Sequence, residues 1–134
     1  MSKALLRTCA FFSRLFAFPT IRDEVTIVWH VGEPLVLGVD YYDAAFRCIG
    51  EVAPPGLKVR LSIQTNGMLI TERWCSLFHA WGPKIDLSID GPRHLHDRSR
   101  KTRSGRGTFD QAIRGLQTQQ ANGCSFPLSR EVCT

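Results

Sequence analysis

A chain of 134 residues is long enough for one small domain, and its 43% hydrophobic and 22% charged residues are ordinary for a globular protein rather than a disordered one. The net charge of +5 is concentrated rather than spread, because residues 93–106 alone carry six Lys/Arg and one Asp. No apolar run reaches the roughly 18–20 residues of a membrane span, which argues against an integral membrane protein.

The N-terminal segment begins with basic and then apolar residues, as a secretory signal does. However, Arg7 and Arg14 interrupt the apolar run and no small-x-small cleavage site follows. We therefore predict a core-packing or interfacial helix over residues 3–17 and a cytoplasmic protein. The apolar face of that helix comprises Leu5, Cys9, Phe12 and Phe16.

The five cysteines stand at wide, irregular spacings, and no C-x-x-C pair occurs. An odd number at such spacings fits neither a disulfide framework nor a zinc or iron–sulfur site contained within this chain. We expect reduced thiols, most of them buried, at Cys9, Cys48, Cys75, Cys124 and Cys133.

The β-branched run at residues 25–31 predicts a first strand. Residues 38–53 space apolar side chains as one face of a helix requires, with Asp40 as a candidate cap and Pro-Pro-Gly at 54–56 as the stop. The apolar face of this helix comprises Tyr42, Phe46 and Ile49.

A second strand is predicted over residues 57–66, and Thr71 then gives a capping-type start to a second crossover helix, one that connects successive strands. Residues 84–90 predict a third strand. The basic stretch 93–106 reads as a loop, with His94 and His96 on its surface. Residues 107–123 predict a third crossover helix that ends at Asn-Gly.

Strands separated by helices of this length imply right-handed βαβ units, so we predict an α/β fold with a parallel sheet of about three to four βα units. The tail 124–134 occupies the place of a fourth strand, but Pro127 and the Arg130-Glu131 pair interrupt any strand pattern. Ligands of such sheets bind beyond the carboxyl ends of the strands. Val-Gly-Glu-Pro (31–34), Gln-Thr-Asn-Gly (64–67) and Ser-Ile-Asp-Gly-Pro (88–92) all lie there, which predicts one shared pocket.

Four stretches together resemble the core of radical S-adenosylmethionine (SAM) enzymes. They are VWHVGEPLVL with DYYDAAF, LSIQTNGMLITERWC, LSIDGPRHLHDRSR and GRGTFDQAIRGL, which run in the expected order between about residues 20 and 123. The resemblance is closest to the peptide- and sulfatase-maturing branch, whose members carry a C-terminal auxiliary-cluster (SPASM) domain. It implies a partial (β/α) barrel, with residues 1–134 as a truncated radical SAM core domain.

In this family the methionine amino and carboxylate groups of SAM chelate the open iron of a [4Fe–4S] cluster. One electron then cleaves the sulfonium to give a 5′-deoxyadenosyl radical, which abstracts hydrogen from a ribosomally made peptide or protein. The resemblance therefore implies SAM and a [4Fe–4S] cluster as cofactors. It implies SAM-binding roles for Gly32 and Glu33 at the ammonium, Ser88 at the ribose or methionine portion, and Arg100 at the carboxylate.

Further residues are implied around the same pocket: His30 and Gln64 on the substrate side, with Asn66 and Asp90 orienting the loops at the strand tips. Each has a purely conformational alternative. Glu33 before a proline also suits a solvated turn, and Asn66-Gly67 and Asp90-Gly91 also suit tight turns.

The sequence departs from the family in three respects. The C-x-x-x-C-x-x-C loop that supplies the cluster ligands is missing, so no metal ligand is assigned. The usual Gly-Gly-Glu-Pro reads Val31-Gly32-Glu33-Pro34. Relatives also continue through a six-unit barrel and the auxiliary domain, so we expect an internal fragment that is inactive alone and leaves sheet edges open to association.

Two other functions stay open from the sequence. One is a non-catalytic remnant that binds a protein or peptide partner. The other, less favoured, is nucleic-acid binding through the 93–106 stretch, which lacks interleaved aromatic residues and whose alternative is a solvated basic loop.

Overall fold

The chain alternates strands and helices, as the computed structural model shows for residues 3–30, 32–89, 92–124 and 128–129. Five α-helices, one short 3₁₀ helix and four strands lie within these residues. In chain order they are α1 (Lys3–Phe16), β1 (Glu24–Trp29), the 3₁₀ helix (Pro34–Leu37), α2 (Val39–Val52), β2 (Lys58–Thr65), α3 (Glu72–Trp81), β3 (Lys84–Ser88), α4 (Arg93–Ser99), α5 (Phe109–Ala121) and β4 (Leu128–Ser129).

The four strands form one sheet in the order β1-β2-β3-β4, and every neighbouring pair is parallel. Trp29 pairs with Ile63 at the end of β1, and Thr65 pairs with Leu87 near the end of β3. A helix connects each strand to the next, which is the arrangement that parallel pairing requires. The predicted α/β fold with a parallel sheet is therefore confirmed.

One face of the sheet is apolar and covered by helices. Strand side chains alternate between the two faces, so every second residue of β1, β2 and β3 points toward the helices. The covered residues are Val25, Ile27, Trp29, Val59, Leu61, Ile63, Ile85 and Leu87. The other face is largely polar and carries Glu24, Thr26, Val28, Arg60, Ser62, Gln64, Lys84, Asp86 and Ser88.

Aromatic side chains fill the space between the sheet and the helices. The Trp29 ring lies 5.5 Å from that of Phe46 and 5.8 Å from that of Tyr42, and Tyr42 also contacts Trp74 at 5.6 Å between ring centroids. Tyr42 and Phe46 are almost fully buried, as the spacing of the α2 residues predicts. Each such side chain contributes roughly 1.5–3 kcal/mol through its removal from water. Phe12 and Phe16 extend this core from α1.

Two segments differ from the sequence prediction. The basic stretch is not a loop throughout, because its first half forms α4, in which His96 is fully buried rather than on the surface. The tail does contain a strand, since Leu128 and Ser129 pair with Leu87 and Ser88. Tertiary contact with β3 thus overrides the weak local strand propensity. Pro127 and the Arg130-Glu131 pair lie outside the described residues.

Local helix signals are only partly correct. Gly38, not Asp40, caps α2, because Gly38 adopts the positive φ of 88° that the preceding turn requires and Asp40 falls within the first helical turn. Thr71 does cap α3, although its side chain makes no capping hydrogen bond.

The expectation of reduced thiols is wrong for one pair. Cys9 of α1 and Cys48 of α2 form a disulfide, since both lie on the packed surface between these two helices. Cys75 and Cys124 are free and buried, and Cys133 lies outside the described residues. Among those residues, no helix is long and apolar enough to cross a membrane.

Candidate functional site

The carboxyl ends of β1, β2 and β3 open into a cleft of about 720 Å³. Seven of the eight site residues predicted from the sequence line this cleft. The eighth, Asp90, lies outside the described residues, as does Val31 of the glycine turn. The predicted liners are His30, Gly32, Glu33, Gln64, Asn66, Ser88 and Arg100, and the structure adds Thr65, Lys101 and Arg103. Topology explains this convergence, because the ends of parallel strands meet at one edge of the sheet.

Glu33 links two strand tips through its carboxylate. Oε1 accepts hydrogen bonds from the Thr65 hydroxyl at 2.5 Å and from the Leu35 amide at 3.1 Å, and Oε2 accepts one from the Asn66 amide at 3.0 Å. A carboxylate has about four acceptor positions, so these three bonds leave capacity for one further donor. Glu33 is therefore an ordered, half-buried carboxylate rather than a solvated turn residue.

The turn that carries Glu33 depends on a glycine conformation and on a hydrogen bond from a buried tyrosine. Gly32 has a φ of 67°, in the left-handed region that favours glycine, and a Cβ there would meet no atom within 4 Å. Its backbone is consequently open to the cleft. The hydroxyl of Tyr42 donates to the Pro34 carbonyl at 2.8 Å, and burial together with the nearby Tyr41 and Glu33 charges raises the pKa of Tyr42. The phenol therefore stays protonated as a donor.

A tight turn fixes the tip of β2. The Asn66 side chain accepts a hydrogen bond from the Met68 amide at 2.9 Å, and Gly67 has a φ of 79°. Helix α5 packs directly on this turn, because a Cβ on Gly115 would lie 1.9 Å from the Gly67 carbonyl oxygen. The Asn66 side chain thus closes a tight turn after β2, which is the geometry of the conformational alternative.

A buried polar network anchors the segment that bears Arg100. His96 Nε2 lies 3.0 Å from the Thr108 hydroxyl, which in turn donates to the Arg100 carbonyl at 2.8 Å. Asp97 accepts a hydrogen bond from the Phe109 amide at 2.8 Å and so caps α5 from α4. These bonds hold Arg100 at the cleft while α4 and α5 stay packed.

Three basic residues, Arg100, Lys101 and Arg103, line the cleft. Five basic residues outside it form ion pairs with carboxylates, namely Arg47, Arg60, Arg73, Lys84 and Arg93. Within the described part of the chain, no such ion pair involves Lys101 or Arg103. The cleft thus combines one ordered carboxylate with a row of cations, a donor and acceptor set that suits a zwitterion.

One cleft residue, Thr65, and two residues that support the cleft from behind, His96 and Thr108, escaped the sequence prediction. Thr65 is hidden within a strand pattern, and its role depends on a partner 32 residues away in sequence. His96 and Thr108 are separated by 12 residues and meet only when α4 packs on α5. Thr108 did carry one signal, since a threonine directly before an apolar helix pattern is a typical N-cap.

The sequence of the chain was compared with those of known proteins. No family model matches the chain. The chain is 38% identical over 112 residues to the serine-type anaerobic sulfatase-maturating enzyme of Klebsiella aerogenes, covering 84% of this chain and 28% of that protein. It is 33% identical over 103 residues to the enzyme of the same name from Bacteroides thetaiotaomicron, covering 77% and 25%. The chain thus spans between a quarter and a third of these relatives' length.

The fold has a counterpart among solved structures. Native anSMEcpe with bound AdoMet and Kp18Cys peptide matches with a TM-score of 0.80 at 24% identity, covering 96% of this chain and 34% of that one. Native anSMEcpe with bound AdoMet alone matches equally well. At this identity the match shows the fold alone. AdoMet, which is another abbreviation for SAM, and the peptide are ligands of that solved protein.

Proposed function

Since this chain belongs to the radical SAM family through its homology with the anaerobic sulfatase-maturating enzymes, we propose that its cleft binds the methionine end of SAM. The observation that carries the proposal is the convergence of one ordered carboxylate and an arginine on a glycine turn at the ends of three parallel strands. We propose that residues 1–134 form one unit, a segment of the radical SAM core.

The ammonium of SAM fits the turn between β1 and the 3₁₀ helix. Glu33 has one acceptor position left, and Gly32 leaves its backbone open to close approach. A charge-assisted hydrogen bond to a cation is about twice as strong as a neutral one, so the fixed carboxylate orients the amino group.

The carboxylate of SAM fits the opposite wall. Arg100 offers a planar fork of donors that matches a carboxylate, and the Thr108 bond to its backbone holds it in place. Ser88, at the end of β3, offers a hydroxyl between the two walls for the ribose or the methionine portion.

A peptide substrate is proposed for the remaining side of the cleft. His30 follows β1 and Gln64 lies on the neighbouring strand β2, so both side chains line the cleft beside the proposed SAM site. The solved relative with a bound peptide supports this substrate class.

SAM, when bound in enzymes of this family, supplies a carbon radical after one-electron cleavage of its sulfonium. That cleavage needs an iron–sulfur cluster, and the described residues contain no group of three His, Cys, Asp or Glu that could hold a metal ion. The residues present therefore fit SAM but not the cluster. We propose that the 134 residues alone bind SAM without cleaving it.

The test is SAM binding to the full chain, measured by equilibrium dialysis with labelled SAM. Arg100→Gln removes a charge-assisted hydrogen bond worth about 1.5–3 kcal/mol, so we expect at least about tenfold weaker binding. Arg60→Gln, on the same sheet face but outside the cleft, is the matched control and leaves the affinity unchanged. Equal losses in both variants, or no competition by methionine, would contradict the proposal.

A further inference from the structure

Two free thiols meet a histidine on the helical side of the molecule, away from the cleft. Cys75 of α3 is 1% exposed, and Cys124, just after α5, is 8% exposed. Cys124 Sγ lies 4.0 Å from the Cys75 carbonyl oxygen, and Cys75 Sγ lies 3.9 Å from the Thr118 carbonyl oxygen of α5. The two residues are 49 positions apart in sequence. Only the packing of α5 on α3 brings these sulfurs together.

His79 adds a polar group to this pair. Its Nε2 atom lies 2.7 Å from the Asn122 carbonyl oxygen and 3.3 Å from Cys124 Sγ. A carbonyl oxygen can only accept, so Nε2 carries the hydrogen, and the same N–H faces the sulfur. A neighbouring donor of this kind stabilises a thiolate over a thiol and makes it a better nucleophile. His79 is exposed, so the buried Cys124 sulfur lies directly behind a side chain at the surface.

The two thiols differ in burial and in the groups that surround them. Burial, together with a smaller contribution from the neighbouring Cys124, raises the pKa of Cys75 to about 11. Cys75 therefore stays protonated near neutral pH. Cys124 is the more exposed sulfur and the one in contact with the imidazole. This difference assigns Cys124 as the first thiol to react.

We propose that Cys75 and Cys124 form a peroxide-sensitive dithiol, whose oxidation joins α3 to the end of α5 through a disulfide. Nothing in the sequence pattern or in the proposed SAM site assigns this role, and the inference does not depend on SAM binding. It depends on the two sulfurs and the histidine alone.

The chemistry balances with hydrogen peroxide as the two-electron oxidant. The Cys124 thiolate attacks one peroxide oxygen, the O–O bond breaks, and Cys124 becomes a sulfenic acid while hydroxide takes a proton to form water. The Cys75 sulfur then attacks the Cys124 sulfur, an S–S bond forms, and the sulfenic oxygen leaves as a second water. Two thiols and one peroxide thus give one disulfide and two waters.

Such a bond has a structural consequence near the cleft. Shortly after Cys124 the chain forms β4, whose Ser129 pairs with Ser88. A disulfide to α3 fixes Cys124, which precedes β4 closely in sequence. Oxidation on the helical side thereby acts next to the strand that pairs with Ser88, a residue of the cleft.

Mass spectrometry of the full chain tests the proposal directly. Each of the five cysteines falls in a different tryptic peptide, so every disulfide has its own mass. After limited hydrogen peroxide without reductant, we expect peptide 74–84 linked to peptide 115–130 as the main new species. No new linked pair, or a Cys124–Cys133 link in its place, overturns the proposal.

Two variants separate the role of the histidine from simple proximity. His79→Gln should slow formation of the Cys75–Cys124 bond by about three- to tenfold near neutral pH, because the imidazole N–H that faces the attacking sulfur is removed. His94→Gln, an exposed histidine on α4, is the matched control and leaves the rate unchanged. In Cys75→Ser, dimedone should trap Cys124 as a sulfenic acid. Equal rates in both histidine variants, or no trapped Cys124, overturn the assignment.

Discussion

Two clefts lie on the same open face of the sheet, and they use their charges in opposite ways. The cleft at the amino ends of the strands, of about 600 Å³, is lined by Arg60, Lys84 and Asp86 among others. There Arg60 pairs with Glu24, and Lys84 lies 3.7 Å from Asp86. In the cleft at the carboxyl ends, Glu33 bonds to backbone and hydroxyl donors instead of to a cation.

The difference shows how one polar face serves two purposes. At the amino ends, opposite charges on the strands neutralise each other at a surface where each exposed pair contributes only about 0–1 kcal/mol. At the carboxyl ends, the acidic group is oriented by neutral donors, so its charge stays available to a ligand. The SAM site is therefore proposed at the carboxyl-end cleft, although the two clefts are similar in size.

The largest expected effect compares one glutamate from each cleft. Glu33→Ala leaves the Thr65 hydroxyl and two backbone amides without their acceptor, so we expect the free energy of unfolding to fall by about 3 kcal/mol. Glu24→Ala removes only an exposed ion pair and should cost less than about 1 kcal/mol. Urea denaturation of both variants gives the two values, and similar values would remove the distinction between the clefts.

A second prediction concerns the packing of α5 on the turn after β2, which affects the carboxyl-end cleft and not the other one. Gly115→Ala drives a Cβ into the Gly67 carbonyl at the tip of β2, so α5 must shift and stability should fall by about 2 kcal/mol. Gly50→Ala is the control, because it lies exposed in α2 with no atom within 4 Å of its Cβ. That variant should gain about 0.5–1 kcal/mol from helix propensity. A thermal scan in which both variants behave alike would show that the close approach is not a constraint.

The smallest effect concerns the helix-covered side, which neither cleft touches. The pKa of Cys75 rises from 9.0 to about 11 on folding, so the unfolded chain loses this proton first as the pH rises. The stabilisation from the neutral thiol is fully present below about pH 9 and is lost as the pH rises through about 11. Cys75→Ala should flatten this alkaline decline, as urea midpoints between pH 8 and 11 can measure. An unchanged slope in the variant would assign the decline to other groups.

The sequence alone predicted most of the helices and strands, and the position of the pocket. Period-two runs and helix faces gave β1, α2, β2, α3, β3 and α5 to within a few residues, since these elements carry their own apolar pattern. It failed at α4 and β4, which are short and polar and depend on neighbours. His96 is buried because α5 covers it, and no local pattern records that contact.

By itself, the sequence determined a parallel α/β sheet and the residues that meet at its carboxyl end, because strand direction and alternation follow from local spacing. Only the tertiary structure decided how those residues are used. The bonds of Glu33 to Thr65 and Asn66, the Thr108 anchor of Arg100 and the Cys75–Cys124 contact all join positions distant in sequence. Hydrogen bonds act over about 3 Å, so their partners are fixed by packing and not by spacing along the chain.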